Sequence, residues 1–126
     1  MQRLDRLSVS EPTLCDQRQI RKLFVLLGTD GAQSVIKEGL GALAGALSLC
    51  EAALVAREKE PLRDAVQLVA QSSAQLGMQS LLVACHANLD ALAQGEWIAI
   101  SATGARVLRL GDQSLIDYGL LCGGAD

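Results

Sequence analysis

Apolar residues along this chain return every third or fourth position, the period of an α-helix, and no segment holds the alternation of a half-buried strand. The clearest stretch is Leu62–Leu92. Leu62, Val66, Val69, Ser73 and Leu76 form one stripe, and Met78, Leu82, Cys85, Leu89 and Leu92 form a second. Steps of four and three keep each set on one helical face. Gly77 falls between them, so the spacing predicts two helices folded back on each other. Upstream, Ile36, Leu40, Leu43, Leu47, Cys50 and Leu54 keep the same rhythm and predict a long helix from Ala32 to Arg57.

The remaining elements follow from punctuation. Ser10-Glu11-Pro12 is a helix start, with proline early in the first turn. The helix it opens carries Ile20, Leu23, Phe24 and Leu27 on one side and ends at Gly28. Asp30-Gly31-Ala32-Gln33 has the form of a capping box for the long helix. Gly39, Gly41 and Gly45 lie off or beside its apolar seam, where a close neighbour fits. Arg57–Pro61 reads as a polar joint, with Pro61 in the first turn of the next helix. A further helix is expected from Trp97 to Leu110, a break at Gly111-Asp112, and a last short helix over Gln113–Leu121. The termini, 1–10 and 122–126, read as loose ends of a single domain. The fold class predicted is all-α: an up-and-down antiparallel four-helix bundle with an additional N-terminal helix covering one end.

Composition narrows the chemistry. The 126 residues are half hydrophobic, yet the aromatics are only Phe24, Trp97 and Tyr118, so the core is one of interlocking aliphatic and small side chains. A net charge of −3 and a pI near 5.1 argue against nucleic acid, which requires a clustered basic face. No apolar run approaches the ~18 residues of a membrane span, and MQRLDRLSVS lacks the apolar centre of a signal peptide. The expected compartment is the cytoplasm. Cys15, Cys50, Cys85 and Cys122 form no CxxC pair and have no histidine at ligand spacing, so neither a metal site, a cofactor nor a disulfide framework is expected. Cys50 and Cys85 are in apolar phase and read as small buried hydrophobes.

On a helical wheel centred on the seam of the Leu62–Leu76 helix, Gln67 lies about 140° away and Gln71 lies opposite the seam. Asp64, Leu68, Ala74 and Gln75 flank them. This outward strip is uncharged around Gln67, with a leucine at its middle, a composition suited to a docked partner.

The same helix resembles the phosphate-carrying helix of histidine phosphotransfer (HPt) domains. That pattern is a histidine, a lysine three residues on, glycine, one or two small residues, and a closing Leu-Gly. This chain reads Gln67, Ala70, Gln71, Ser72, Ser73, Leu76 and Gly77. The small pair, the Leu-Gly and a cysteine in the following helix, Cys85, match, and the likeness in layout covers roughly residues 13–95. It implies a phosphorelay signalling protein of a bacterial two-component system, with a receiver domain of a response regulator or hybrid kinase as partner. The departures remove the chemistry. An amide nitrogen, its lone pair delocalised into the carbonyl, is no nucleophile, so Gln67 at the phospho-acceptor position carries no phosphoryl group. Ala70 supplies none of the lysine's positive charge, and Gln71 fills the space that glycine leaves for the receiver. The resemblance therefore implies a module without phosphotransfer activity that binds through Asp64, Gln67, Leu68, Ala70, Gln71 and Gln75.

His86 is the chain's sole histidine. The periodicity puts it at the edge of the apolar seam, half-buried over Leu82 and Leu89 or paired with Asp90 one turn on. The alternative functions are an active phosphocarrier using His86, and a helical adaptor or oligomerisation module unrelated to signalling; a homodimer is compatible with each. Arg106 with Arg109, and Arg18 with Arg21 and Lys22, read as solvated helix faces.

Overall fold

The computed structural model describes residues 17–121. They form α1 (Gln17–Ala56), α2 (Lys59–Leu76), α3 (Gln79–Gln94) and α4 (Trp97–Leu121), with no strand among the described residues. The expected helix start at Ser10-Glu11-Pro12 and the termini 1–10 and 122–126 lie outside them. The helices pack in a ring: α1 on α2, α2 on α3, α3 on α4, and α4 back on α1. Two-residue joints turn each helix antiparallel to the one before it, which makes an all-α bundle.

Where a separate N-terminal helix ending at Gly28 was expected, the described residues from Gln17 run into α1. Helical geometry fails at Gly28 alone, where φ is 76° and ψ 175°. A side chain at that φ strains against its own backbone, so glycine permits the break. Ile20, Leu23 and Phe24 lean on the core, whereas Val25, Leu26 and Leu27 are exposed.

The six seam residues of the long helix turn inward as the spacing predicts: Ile36, Leu43, Leu47 and Cys50 are buried, and Leu40 and Leu54 half-buried. All five stripe residues of α2 are buried. In α3 the inward face differs. Leu81, Ala84, Cys85, Asn88, Ala91 and Leu92 are buried, while Leu82 and Leu89 are half-buried. At 100° per residue this rotates the face by roughly 75° from the predicted seam. Asn88 belongs to this face: its side chain is at 0% exposure, and its Nδ2 donates to the Ile100 carbonyl at 3.1 Å and to Thr103 Oγ1 at 2.8 Å on α4.

No break occurs at Gly111-Asp112, and α4 is one helix to Leu121. Gly111 is a contact point there. A β-carbon on it would lie 2.5 Å from a methyl of Leu47, and one on Gly104 would lie 2.8 Å from a methyl of Leu54. The two contacts repeat after seven residues in opposite chain directions, so leucines of α1 seat on glycines of antiparallel α4. Gly39 similarly receives Leu76 of α2, 3.2 Å from an added β-carbon.

Each end of the bundle is tied. At one, Arg57 and Lys59 stand over the Trp97 ring, 5.2 and 5.8 Å from its centroid, joining the α1–α2 turn to the start of α4. At the other, the last four carbonyls of α2 are all accepted for. Met78 N donates to Ser73 O at 2.8 Å and Gly77 N to Ala74 O at 3.4 Å, with Gly77 left-handed at φ 73°. Gln19 Nε2 donates to Gln75 O at 3.2 Å, and Tyr118 Oη to Leu76 O at 2.7 Å.

One expectation about apolar runs is corrected. Within Arg18–Ala56, α1 is long and apolar enough to cross a membrane on length and composition. Its Gly/Ala/Leu-rich half, Gly39–Ala56, carries Glu51 as its only charged residue. The seam that packs on α2 and α4 marks it as a bundle helix, but only a third of its most apolar window is buried.

Candidate functional site

The strip picked out on α2 is positioned by its opposite face. Leu62, Ala65, Val66, Val69, Ser72, Ser73 and Leu76 are driven inward, and Ser73 Oγ satisfies itself on the Val69 carbonyl at 2.7 Å. What remains outside is Asp64, Gln67, Leu68, Gln71 and Gln75, all exposed, with Ala70 half-buried. Each predicted contact residue therefore lies on one helix, and Asp64, Gln67, Leu68, Gln71 and Gln75 share its outward side. Gln67, Leu68, Gln71 and Gln75 are uncharged, with Asp64 at one end and the half-buried Arg63 one turn before Gln67.

Leu68 is 45% exposed, and the structure adds something the wheel did not contain. It lines an open apolar groove of about 490 Å³ between α1 and α2, walled by Leu49, Ala52, Ala53 and Ala56 on one side and by Pro61 and Ala65 on the other, with Glu58 and Asp64 at the rim. The groove exists because α1 presents alanines here, too short to fill the space beside α2. Leu49 itself is 57% exposed. The alanine spacing on α1 was visible in the sequence, but which neighbour it faces was not.

Chemistry on the strip is limited to what amides and an alkyl side chain can do: accept and donate hydrogen bonds and shed water from an apolar partner. Nothing there is a nucleophile. His86 lies on α3, and contrary to the expected boundary position it is exposed, since the rotated inward face of that helix leaves it away from the core. The lone lysine or arginine that a phosphoryl carrier needs beside it is not supplied by its helix, since Gln79–Gln94 contains none.

Cys50 and Cys85 are free and buried. Burial pushes both thiols up, to about 12, and for Cys85 the neighbouring Cys50 sulfur adds to the effect. Their helices stand diagonally across the ring, and no Cα pair between α1 and α3 comes within 8 Å. A disulfide spans at most about 6.8 Å between Cα atoms, so the two remain unreactive core thiols. Among the described residues no group of three His, Cys, Asp or Glu side chains is placed to hold a metal ion.

Among the described residues two buried side-chain polar atoms have no hydrogen-bond partner, Asn88 Oδ1 and Ser114 Oγ. Asn88 is on α3 and Ser114 on α4. No protein-family model, curated protein or solved structure matches this chain.

Proposed function

We propose that this protein is an HPt-like phosphorelay signalling module without phosphotransfer activity, which binds the receiver domain of a response regulator or hybrid kinase through the outward face of α2. The observation that carries this reading is the neutral, exposed strip of Gln67, Leu68, Gln71 and Gln75 beside an apolar groove. Interfaces of this kind combine an apolar anchor with a polar, uncharged surround. Leu68 and the groove wall supply the anchor. The glutamines supply hydrogen bonds that fix the approach, and Ala70 supplies no cation for phosphate at the lysine position.

Gln67 facing a receiver offers an amide in place of an imidazole. The docked receiver keeps whatever phosphoryl group it carries, because no atom on the strip attacks phosphorus. Such a complex sequesters a response regulator or competes with an active phosphotransfer protein, and the compartment it requires is the cytoplasm. The additional N-terminal segment of α1, packed against the end of α2 through Gln19 and Gln75, would brace the strip in an HPt-like layout.

Calorimetry with receiver domains of the same organism tests the reading. Binding with a Kd of roughly 1–50 µM, weakened at least about tenfold by Leu68→Glu, is the expected result. The absence of binding to every receiver would overturn it. A phosphorylation assay with a competent kinase runs beside it: acid-labile label abolished by His86→Gln would replace the docking module with an active carrier.

A further inference from the structure

The corner of α1 at Gly28 stands clear of the bundle. Both of its flanks reach the same end of α2: Gln19 bonds the Gln75 carbonyl, and Gly39 lies against the Leu76 side chain. Roughly twenty residues of straight helix would hold those flanks about 30 Å apart. The chain therefore bends sharply at the one residue with non-helical geometry, Gly28. Every residue from Val25 to Asp30 is exposed. Three of them are aliphatic and consecutive: Val25 at 78%, Leu26 at 72% and Leu27 at 49% exposure.

A single exposed leucine is ordinary, but three aliphatic residues in a row on a projecting corner mark a contact surface. At 100° per residue they span about 200° of the helix circumference, so no flat or grooved protein face touches all three at once. A medium that closes around the corner does. Charge says which medium. From Gln17 to Thr29 the sequence holds Arg18, Arg21 and Lys22 and no acid, in a chain whose net charge is −3. Arg21 and Lys22 are exposed one turn before Val25 and Leu26, which sets their charges about 6 Å behind the apolar tip. A lipid surface has that layering. Helices that bind one bury apolar side chains about 5–10 Å into the headgroup boundary and leave cations among anionic headgroups.

We infer that this corner docks on an anionic lipid surface, with Val25, Leu26 and Leu27 entering the acyl boundary and Arg21 and Lys22 meeting headgroup phosphates. Asp30, exposed on the far side of Gly28, limits the depth of entry to the corner itself. The contact is peripheral, and α1 keeps its seam on α2 and α4. It uses neither the outward strip of α2 nor the groove beside Leu68, and does not rest on the receiver-binding reading.

The size of the corner sets the strength. Its three side chains hold fewer carbons than a myristoyl chain, which alone gives reversible binding with a constant of about 10⁴ M⁻¹. Each cation adds roughly fivefold at an anionic surface. Half of the protein is therefore bound at about 0.1–1 mM accessible lipid.

Co-sedimentation of the full chain with vesicles is the test, using phosphatidylcholine alone and phosphatidylcholine with about 30% phosphatidylglycerol. The expected result is binding to the anionic vesicles at least about tenfold tighter than to the neutral ones, weakened about fivefold or more when salt rises from about 0.1 to 0.5 M. Val25→Asp with Leu26→Asp is expected to abolish it, and Arg21→Glu with Lys22→Glu to weaken it at least about tenfold. All four side chains are exposed, so the urea midpoint should hold. If the aspartates disturb folding, Val25→Ser with Leu26→Ser takes their place. No binding to anionic vesicles overturns the proposal, as does equal binding to both kinds. Binding that survives loss of the aliphatic pair but vanishes on charge reversal is a purely electrostatic contact, open equally to an acidic protein, and overturns the lipid assignment.

Discussion

Tyr118 Oη donates a 2.7 Å hydrogen bond to the carbonyl oxygen of Leu76, joining two residues 42 positions apart, and both side chains are fully buried. Helix C-termini leave four carbonyls without intrahelical partners. In α2 two are met by the Gly77 turn, and the other two are met by donors from distant helices, Gln19 of α1 and Tyr118 of α4. The end of the candidate docking helix is thus held by three other elements of the chain.

Tyr118→Phe keeps the ring and removes only the donor. The Leu76 carbonyl then stays buried without that partner, which costs about 1–3 kcal/mol. Urea denaturation is expected to show a lower midpoint with an unchanged slope, the sign of lost stability in an intact fold. Gln19→Ala removes the exposed counterpart, where water replaces the amide, and is expected to cost less than about 0.5 kcal/mol. Equal costs would mean that the buried carbonyl finds another donor.

The glycines divide into two kinds with opposite expectations. Gly41→Ala and Gly45→Ala add a methyl in open space on a helix, and each is expected to stabilise the monomer by roughly 0.5–1 kcal/mol. Gly111→Ala drives a methyl into Leu47, which is 5% exposed and walled by the core, and is expected to cost about 1–3 kcal/mol. Gly104→Ala meets Leu54, only half-buried and freer to swing aside, so its cost should be smaller. Thermal melts of the four variants decide the matter, and a stabilised Gly111→Ala would refute the seating of Leu47 on α4.

That contrast also shows what a single sequence carries. The stripes of α1 and α2 were legible because their steps of three and four are written in leucine, valine and isoleucine, whose burial needs no partner to be named. The turn at Gly77 was legible for its local φ requirement. Gly111-Asp112 was misread as a break, because glycine at a leucine contact and glycine at a turn look alike until the neighbouring helix is in place. The inward face of α3 was misread because Asn88 counts as polar on any wheel, whereas in the bundle it lies inside with two acceptors on α4, and His86 lies outward. The candidate strip lay in the exposed residues of α2 and could be read. The groove beside Leu68 depends on how two helices sit together, so the α1 alanines alone did not disclose it.

Cys50 and Cys85 give the fold a response to alkali. Their thiols are held up to about 12 in the folded bundle, against an ordinary thiol value near 8.5 in the unfolded chain. The folded state thus binds more protons than the unfolded state between those limits. Stability from the protonated thiols is complete below about pH 8.5 and is lost as pH rises toward 12. A double variant, Cys50→Ala with Cys85→Ala, should start from a lower urea midpoint, because two small cavities replace two sulfurs. Its midpoint should then fall less steeply than that of the native chain above about pH 8.5. Labelling gives an independent view. With Cys15→Ser and Cys122→Ser removing the other two thiols, an aromatic disulfide reagent should react with Cys50 and Cys85 only as fast as the bundle opens, and urea should accelerate it. Rapid labelling of the native protein would place the sulfurs within reach of solvent, and parallel pH slopes would leave their protons with no part in stability.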